Sequence, residues 1–417
     1  MSAASLKRTA DVIDEEKLRE TGGNGGDDVA GEEIVLNMGP QHPATHGVLR
    51  IILRLDGEVV TSARPVVGYL HRGMEKIAEN VTYHQFIPYT DRLDYLAPLS
   101  SNTGFALAVE KLLGVEAPPR AQRIRVIICE LSRISAHLLW LGTHALDLGA
   151  ATIFFHTFRE RETLYNLFEL LTGTRLTTSF TRVGGLFCDL PEGFVEGTRS
   201  FIGEFPPKVD EWEKLLTRNR IWMDRTQDVG VVSREDAIDL GLTGPNLRAT
   251  GVEWDLRRAE PYCGYEKFEF EIPVGSAGDV YDRYLVRMEE MRQSTAILRQ
   301  AIEQIPEGPI NIDNLKIRLP PKESVLRRME ELIHQFILVT EGFDAPEGEV
   351  YRAIEAPKGE LGFYILSTGG KSPYRMHIRS PSFVSLQAVP KLVVGRSISD
   401  VIAIIASLDP VMGEVDR

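Results

Sequence analysis

The chain reads as an α+β protein, a central bundle of long helices with an N-terminal β-hairpin sheet and a small C-terminal β-sheet. Three observations carry that expectation. Apolar residues alternate on both sides of Asp56-Gly57 in VLRIILRLDGEVVTSARPVV (48–67), the pattern of a hairpin with a tight turn. From Gly73 the apolar spacing becomes helical and stays so for about a hundred residues. Near the C-terminus, EAPKGELGFYIL (355–366) and PYRMHIRSP (373–381) read as strands joined by STGGKS.

Each element follows from local chemistry. Residues 1–33 are polar, and TGGNGGDD (21–28) has nothing to bury, so this arm is expected to be disordered. Order is expected from EIVLNMGP, which opens a β domain over 34–72. In the bundle, assigned to 73–310, GFALAVEKLLG (104–114) closes on glycine as a helix does. Pro118-Pro119 opens a long helix, RAQRIRVIICELSRISAHLLWLGTHALDLG, and FFHTFRERETLYNLFELLTG (154–173) again closes on glycine. TRVGGLFCDLP (181–191) reads as a loop, a helix follows around 192–218, and 228–280 is irregular. The segment 280–305 reads as an amphipathic helix. A segment over 311–417 is expected to close on the bundle, through the connector PEGPINIDNLKIRLPPKES, the two strands, a helix at 397–410 and the tail VMGEVDR.

Composition narrows function. A net charge of -13 and a pI near 5.3 argue against broad nucleic-acid binding. No run reaches the roughly 18 apolar residues of a membrane span; the nearest, ISAHLLWLGTHALDLGA (134–150), carries His137, His144 and Asp147 and reads as a buried helix. Cys129, Cys188 and Cys263 lack CxxC spacing, which excludes a disulfide framework, a zinc ribbon and a self-contained iron–sulfur site, and fits a reducing compartment. The N-terminus has no apolar core and is rich in acids (Asp11, Asp14, Glu15, Glu16), unlike secretion or transit signals, so a cytosolic prokaryotic protein is expected. GxGxxG after a strand, a P-loop and GxSxG do not occur, and nucleotide binding by this chain itself is not expected.

Several stretches can carry chemistry. GPQHPATHG (39–47) holds His42 and His46 at the spacing of two imidazoles on one helix face, but Pro43 pushes His42 out of the helical region. In an extended strand the two would stand about 13 Å apart, too far for one ion. The stretch therefore reads as a stiff loop presenting the two histidines separately, either to move protons or to bond the backbone of a turn. Tyr95 in YTDRLDYLAP (89–98) can donate a hydrogen bond or a proton, or can simply pack at a helix junction. Asp147, flanked by apolar residues, needs a partner if buried. His46 is a sensible one, since a carboxylate raises a histidine's pKa and the pair can then hold and release a proton near neutral pH. Arg159, Arg161 and Arg182 can steer an anionic group on a partner chain or pair with Glu160 and Glu162.

Taken together, NMGPQHPATHGVLR, GYLHRGMEK, LDYLAPL, FFHTFRERET, GLTGPNLRATGV, GELGFYILSTGG, RSPSFV and AIIASLDPVMGEVDR closely resemble the 49-kDa-type core subunits, the D subunits, of proton-pumping NADH:quinone oxidoreductase, respiratory complex I, from about residue 34 to residue 417. The resemblance implies a fold like nickel–iron hydrogenase large subunits, from which that family descends. Those enzymes hold their metal with two CxxC pairs; here Val411 and Glu414 stand where thiolates would, so a hydrogenase activity and a metal on this chain are excluded. It implies that Tyr95 hydrogen-bonds one quinone carbonyl, that His46 faces the other, that Asp147 pairs with His46, and that His42 lines the same loop. Arg72, Arg92, Thr177 and Arg182 are placed near a terminal 4Fe-4S cluster held by the small iron–sulfur (B) subunit. The family often has a histidine where GTRLTTSF puts Thr177, and its loss implies a cluster of lower, less pH-dependent potential and a low-potential quinone such as menaquinone. Further implied partners are the C and I subunits of the peripheral arm and the H subunit of the membrane arm, at the cytoplasmic face of a prokaryotic membrane, with this chain peripheral to it and binding no cofactor alone. A related complex fed by ferredoxin or another donor is the alternative, and a purely structural scaffold is the reading from another class.

Overall fold

The computed structural model describes residues 33–417 except His46; all but the last residue of the expected N-terminal arm lies outside the described residues. Strands β1 (Ile34–Met38), β2 (Arg50–Asp56) and β3 (Val59–Val66) form an antiparallel sheet in that order. The turn falls on Gly57-Glu58, with Asp56 paired to Val59 and Gly57 at φ 58°, a conformation that glycine adopts freely. Ile51, Leu53 and Leu55 point inward in period two, onto a core shared with Val393, Ile404 and Leu408 from the C-terminal part of the chain.

The bundle is built from α1 (Tyr83–Thr90), α2 (Pro98–Leu113), α3 (Pro119–Asp147), α4 (Ala151–Thr172), α5 (Phe194–Leu216) and α6 (Val280–Glu303). Gly114 and Gly173 close α2 and α4 in the left-handed conformation. Among the described residues no helix is long and apolar enough to cross a membrane. Helix α3 is buried nearly all round, although it carries Arg125, Glu130, Arg133 and His137. Each of these is paired. Arg125 meets Glu110 at 2.6 Å. Glu130 receives Arg133 and Arg257 at 3.2 Å each, with Tyr265 Oη at 2.7 Å and Ser294 Oγ at 2.6 Å. His137 Nε2 lies 2.7 Å from Glu290, which also pairs with Arg248, and Arg248 reaches Glu355 at 2.8 Å. Satisfied in this way, the charges fix the register of α3 against α6 and the C-terminal sheet. The simple amphipathic reading of 280–305 needs correcting. Helix α6 buries Arg283, Arg287 and Glu290 as well as its apolar residues, because those polar heads find partners inside.

The C-terminal region holds α7 (Met329–Thr340) and an antiparallel sheet of β4 (Glu347–Ala356), β5 (Gly359–Thr368) and β6 (Arg375–Arg379). EAPKGELGFYIL is thus not one strand. It is the end of β4, a two-residue turn at Pro357-Lys358, and β5. Gly359, at φ 130°, lies so close to Gly244 that a side chain on either would strike the other's backbone or Thr243. The last helices are α8 (Ile398–Leu408), capped by Ser397, and α9 (Met412–Asp416), which the sequence leaves as an irregular tail.

Candidate functional site

Tyr95 stands in the turn between α1 and α2. Helix α1 is fixed at its start by a capping box of Thr82 and Gln85. Past its end, Leu93 N–H donates to Thr90 and Leu96 N–H to the Asp94 carboxylate at 3.0 Å, so Asp94 organises the turn from which Tyr95 projects. Tyr95 is 37% exposed and its ring lies close to Gly413 of α9. A Cβ at Gly413 would stand 2.5 Å from the Leu93 carbonyl and 3.1 Å from the ring. Only glycine permits this approach.

The tail that supplies Gly413 is stitched to the segment after β3. Asp416 accepts from Gly68 N and Leu70 N at 2.8 and 2.7 Å, and Arg72 Nη2 donates to the Gly413 carbonyl at 2.5 Å. The neighbouring Met412 lies near Gly47, at the foot of the 39–47 loop, where a Cβ on Gly47 would stand 4.0 Å from its Cγ. That loop is a 3-10 turn (Pro43–Thr45) closed by a bridge between His42 and Gly47, with buried Thr45 donating its hydroxyl to the His42 carbonyl at 2.8 Å. His42 is on its exposed side; His46 lies outside the described residues. Residues 411–417 therefore bring the histidine-bearing loop and Tyr95 to a common wall.

Beneath Tyr95 lies a group that sequence reasoning did not assemble. Lys358, from the turn between β4 and β5, is 3.3 Å from Asp94 and 3.6 Å from Asp409, and Glu414 joins them. Burial pushes the Tyr95 hydroxyl above its ordinary pKa range, as do Asp94 and Asp409, while Lys358 and Arg72 pull the other way. Burial also opposes the charge on Lys358, but Asp409, Asp94 and Glu414 outweigh it and hold the ammonium above its usual range. The available signal was Pro357-Lys358-Gly359 inside a strand-like run, a turn that the alternation concealed.

A second group flanks the first. Asp91, 1% exposed, accepts from Asn102 and pairs with Arg92 at 3.2 Å. Burial pushes its carboxyl up to about 7, against Asn102, Arg92 and Arg182. Arg182 donates to Ser179 and lies over the exposed Phe187, and Thr177 is exposed at φ 52° in the same stretch. Arg72, Arg92 and Tyr95 are thus electrostatic neighbours, and Asp91 links Arg92 to Arg182. The other two arginines of the sequence reading are occupied. Arg159 pairs with Glu160 at 3.0 Å, and Arg161 donates to the Ser135 carbonyl and lies over Tyr165. Asp147 ends α3, half-buried, beside a cavity of about 270 Å³ lined by Leu148, Ile153 and Trp222 among others. Burial pushes its carboxyl up to about 6. Cys129 and Cys263 are buried and Cys188 half-buried, all as free thiols, and among the described residues no His, Cys, Asp and Glu side chains gather as a metal site.

The chain is thus a helical scaffold on which a partly exposed tyrosine packs against residues 411–417, with buried charge behind it. A family model described as the 49-kDa subunit of respiratory-chain NADH dehydrogenase matches residues 147–417. Three bacterial relatives, each named as the D subunit of NADH-quinone oxidoreductase, are similar over nearly the whole chain. That of Methylacidiphilum infernorum is 62% identical, over 93% of each chain. That of Opitutus terrae, which carries the number 1 in its name, is 58% identical over 94% of this chain and 92% of its own. That of Geotalea uraniireducens is 56% identical over 93% of this chain and 99% of its own. This protein belongs to the family of the 49-kDa subunit of respiratory-chain NADH dehydrogenase, a family of oxidoreductase subunits.

Proposed function

We propose that this chain is the core subunit of a proton-pumping NADH:quinone oxidoreductase and forms, with the small iron–sulfur (B) subunit, the site where electrons from a terminal 4Fe-4S cluster reduce quinone. The observation that carries the reading is the setting of Tyr95, a partly exposed phenol packed against Gly413 and backed by buried charge. A phenol so placed can hydrogen-bond one quinone oxygen and donate a proton to it. His46, on the loop that leans on Met412, is assigned to the other oxygen, with His42 lining the loop and Asp147 as the acid partner of His46. An Asp147 carboxyl that burial holds near 6 suits an acid that exchanges charge with an imidazole near neutral pH. After the proton leaves His46, an Asp147 carboxylate beside a neutral ring is a new unpaired charge, and that charge shifts the 39–47 loop and biases acidic groups toward the membrane arm.

The cluster belongs to the partner in this reading, because three cysteines fall short of the four thiolates that a 4Fe-4S cluster takes, and Cys129 and Cys263 are buried. Arg72, Arg92, Thr177 and Arg182 form the face turned toward it, and the exposed Met329, Ile333 and Phe336 of α7 give a partner an apolar surface to cover. The C and I subunits of the peripheral arm, the H subunit of the membrane arm, a position at the cytoplasmic face of a prokaryotic membrane and a hydrogenase-like fold ancestry complete the proposal. The electron donor is assigned as NADH by the names of the relatives; recovery of the same complex without NADH-binding subunits would favour ferredoxin or another carrier.

The test is quinone reductase activity of membranes carrying Tyr95→Phe, with assembly checked in parallel. The expected result is an intact complex with collapsed activity or a sharply raised KM for quinone. Unchanged activity in an assembled complex would overturn the site and leave a scaffold.

A further inference from the structure

Asp94, Asp409, Glu414 and Lys358 gather behind Tyr95, none more than 2% exposed. Three carboxyl groups face one ammonium. Lys358 pairs with Asp94 and Asp409, but Glu414 has no cation of its own there; it accepts the backbone N–H of Ser382 at 3.1 Å and the Ser382 hydroxyl. The surrounding charges do not close the balance. Arg287 of α6 faces Asp409, yet it donates to the Ser407 carbonyl and Asn246 and also faces Glu290. Arg72 lies on the far side, toward Tyr95, Asp416 and Arg92. A surplus carboxylate sealed from water is costly, and the group relieves it by keeping one proton. Glu414, outside the ion pairs, is the carboxyl best suited to keep it. The group is also polar and unfinished. Glu414 Oε2 is buried without a hydrogen-bond partner, and Asp94 Oδ2 and Asp409 Oδ2 meet Lys358 Nζ only as looser ion pairs of 3.3 and 3.6 Å, which leaves capacity for a proton to move among the carboxyl groups.

We propose that Glu414 is a proton-holding residue that replenishes Tyr95 during turnover. The proposal rests on the quinone-site reading above. The Tyr95 O–H bond breaks as its proton passes to a reduced quinone oxygen. The Glu414 O–H bond then breaks, an O–H forms on Asp94, and that proton moves on to the Tyr95 oxygen. The resulting Glu414 carboxylate is stabilised by Lys358 until it takes a proton from solvent, so no charge or atom is unaccounted for. Burial and the charge of Asp94 push the Glu414 carboxyl up to about 8, against Ser382 and Lys358, in keeping with a group protonated at neutral pH.

The experiment is the pH profile of kcat for NADH oxidation by the assembled complex in membranes, with a short-tailed ubiquinone as acceptor. The wild type is expected to lose activity on an alkaline limb with its midpoint near 8. Glu414→Gln preserves shape and the Ser382 contact but holds no transferable proton; it should lower kcat at least about tenfold and abolish that limb. Glu414→Asp should retain most of the rate, with the limb moved to lower pH. Wild-type kcat and an unmoved limb in Glu414→Gln would overturn the proposal. If Glu414→Gln does not assemble, an unmoved limb in Glu414→Asp does the same. Tyr95→Phe, run alongside, separates the two readings. Its full activity would sink the quinone site itself, whereas its collapse beside an unaffected Glu414→Gln would sink only the proton reserve.

Discussion

Thr177 is a β-branched residue at φ 52°, a backbone region that such side chains rarely enter, on the exposed stretch beside Arg182. In the proposed function this position faces the partner's cluster, and a hydroxyl there cannot take up a proton when the cluster gains an electron. A redox titration of the terminal cluster is expected to give a low midpoint that barely moves with pH, and Thr177→His should raise it and introduce a pH slope. Asp147 makes a second prediction at this scale. Its folded pKa of about 6 stands above the ordinary 3.8, so in the absence of a cation its ionisation opposes folding. The sign is that stability is fullest below the ordinary value and declines as pH rises through the folded one. Asp147→Asn should flatten that decline in thermal melts recorded between about pH 4 and about pH 7, provided His46 does not compensate in the folded state. Tyr95, Asp147 and the two histidines could be singled out from residue type and neighbours alone. Lys358, Asp94, Asp409 and Glu414 could not be joined, because their meeting is a fact of tertiary packing among segments that are not neighbours in the chain.

Helices were easier to read than strands, and the reason lies in their punctuation. Gly114, Gly173 and Pro119 mark ends at single positions, and the apolar spacing between them persists for many turns. In EAPKGELG the alternation runs straight through Pro357-Lys358, and the Pro and Gly that should have signalled a turn were absorbed into one strand. The same ambiguity hid the burial of α6, since arginine and glutamate count as surface in any periodicity and only their partners reveal otherwise. Arg248 is the firmest case, wholly buried among Glu290, Glu355 and Asp255. Arg248→Met would leave those carboxylates uncompensated and is expected to cost about 3–5 kcal/mol. The expected outcome is a strongly reduced yield of assembled complex, read on native gels, rather than a selective loss of quinone reduction.

Over the whole molecule, the setting of Tyr95 is drawn from both extremes of the described chain. Gly68 and Leu70 bond Asp416 across separations of 348 and 346 residues, and Tyr95 leans on Gly413. Gly413→Ala is expected to push Tyr95 off its wall, because the new methyl cannot be housed 2.5 Å from the Leu93 carbonyl. Quinone reduction should fall as in Tyr95→Phe, while the bundle, with its separate apolar core, should hold its helical circular dichroism. The closing stitches have a consequence for how the chain is made. The packing of α3, α4, α5 and α6 on one another lies within one stretch of sequence and can begin while synthesis continues, whereas contacts as long in range as those of Asp416 with Gly68 and Leu70 form late. Without residues 411–417 most of the helices would remain, but Tyr95 would have no wall. Tyr95 therefore gains its wall only when the segment 411–417 has docked, after the elements that carry the phenol are already in place.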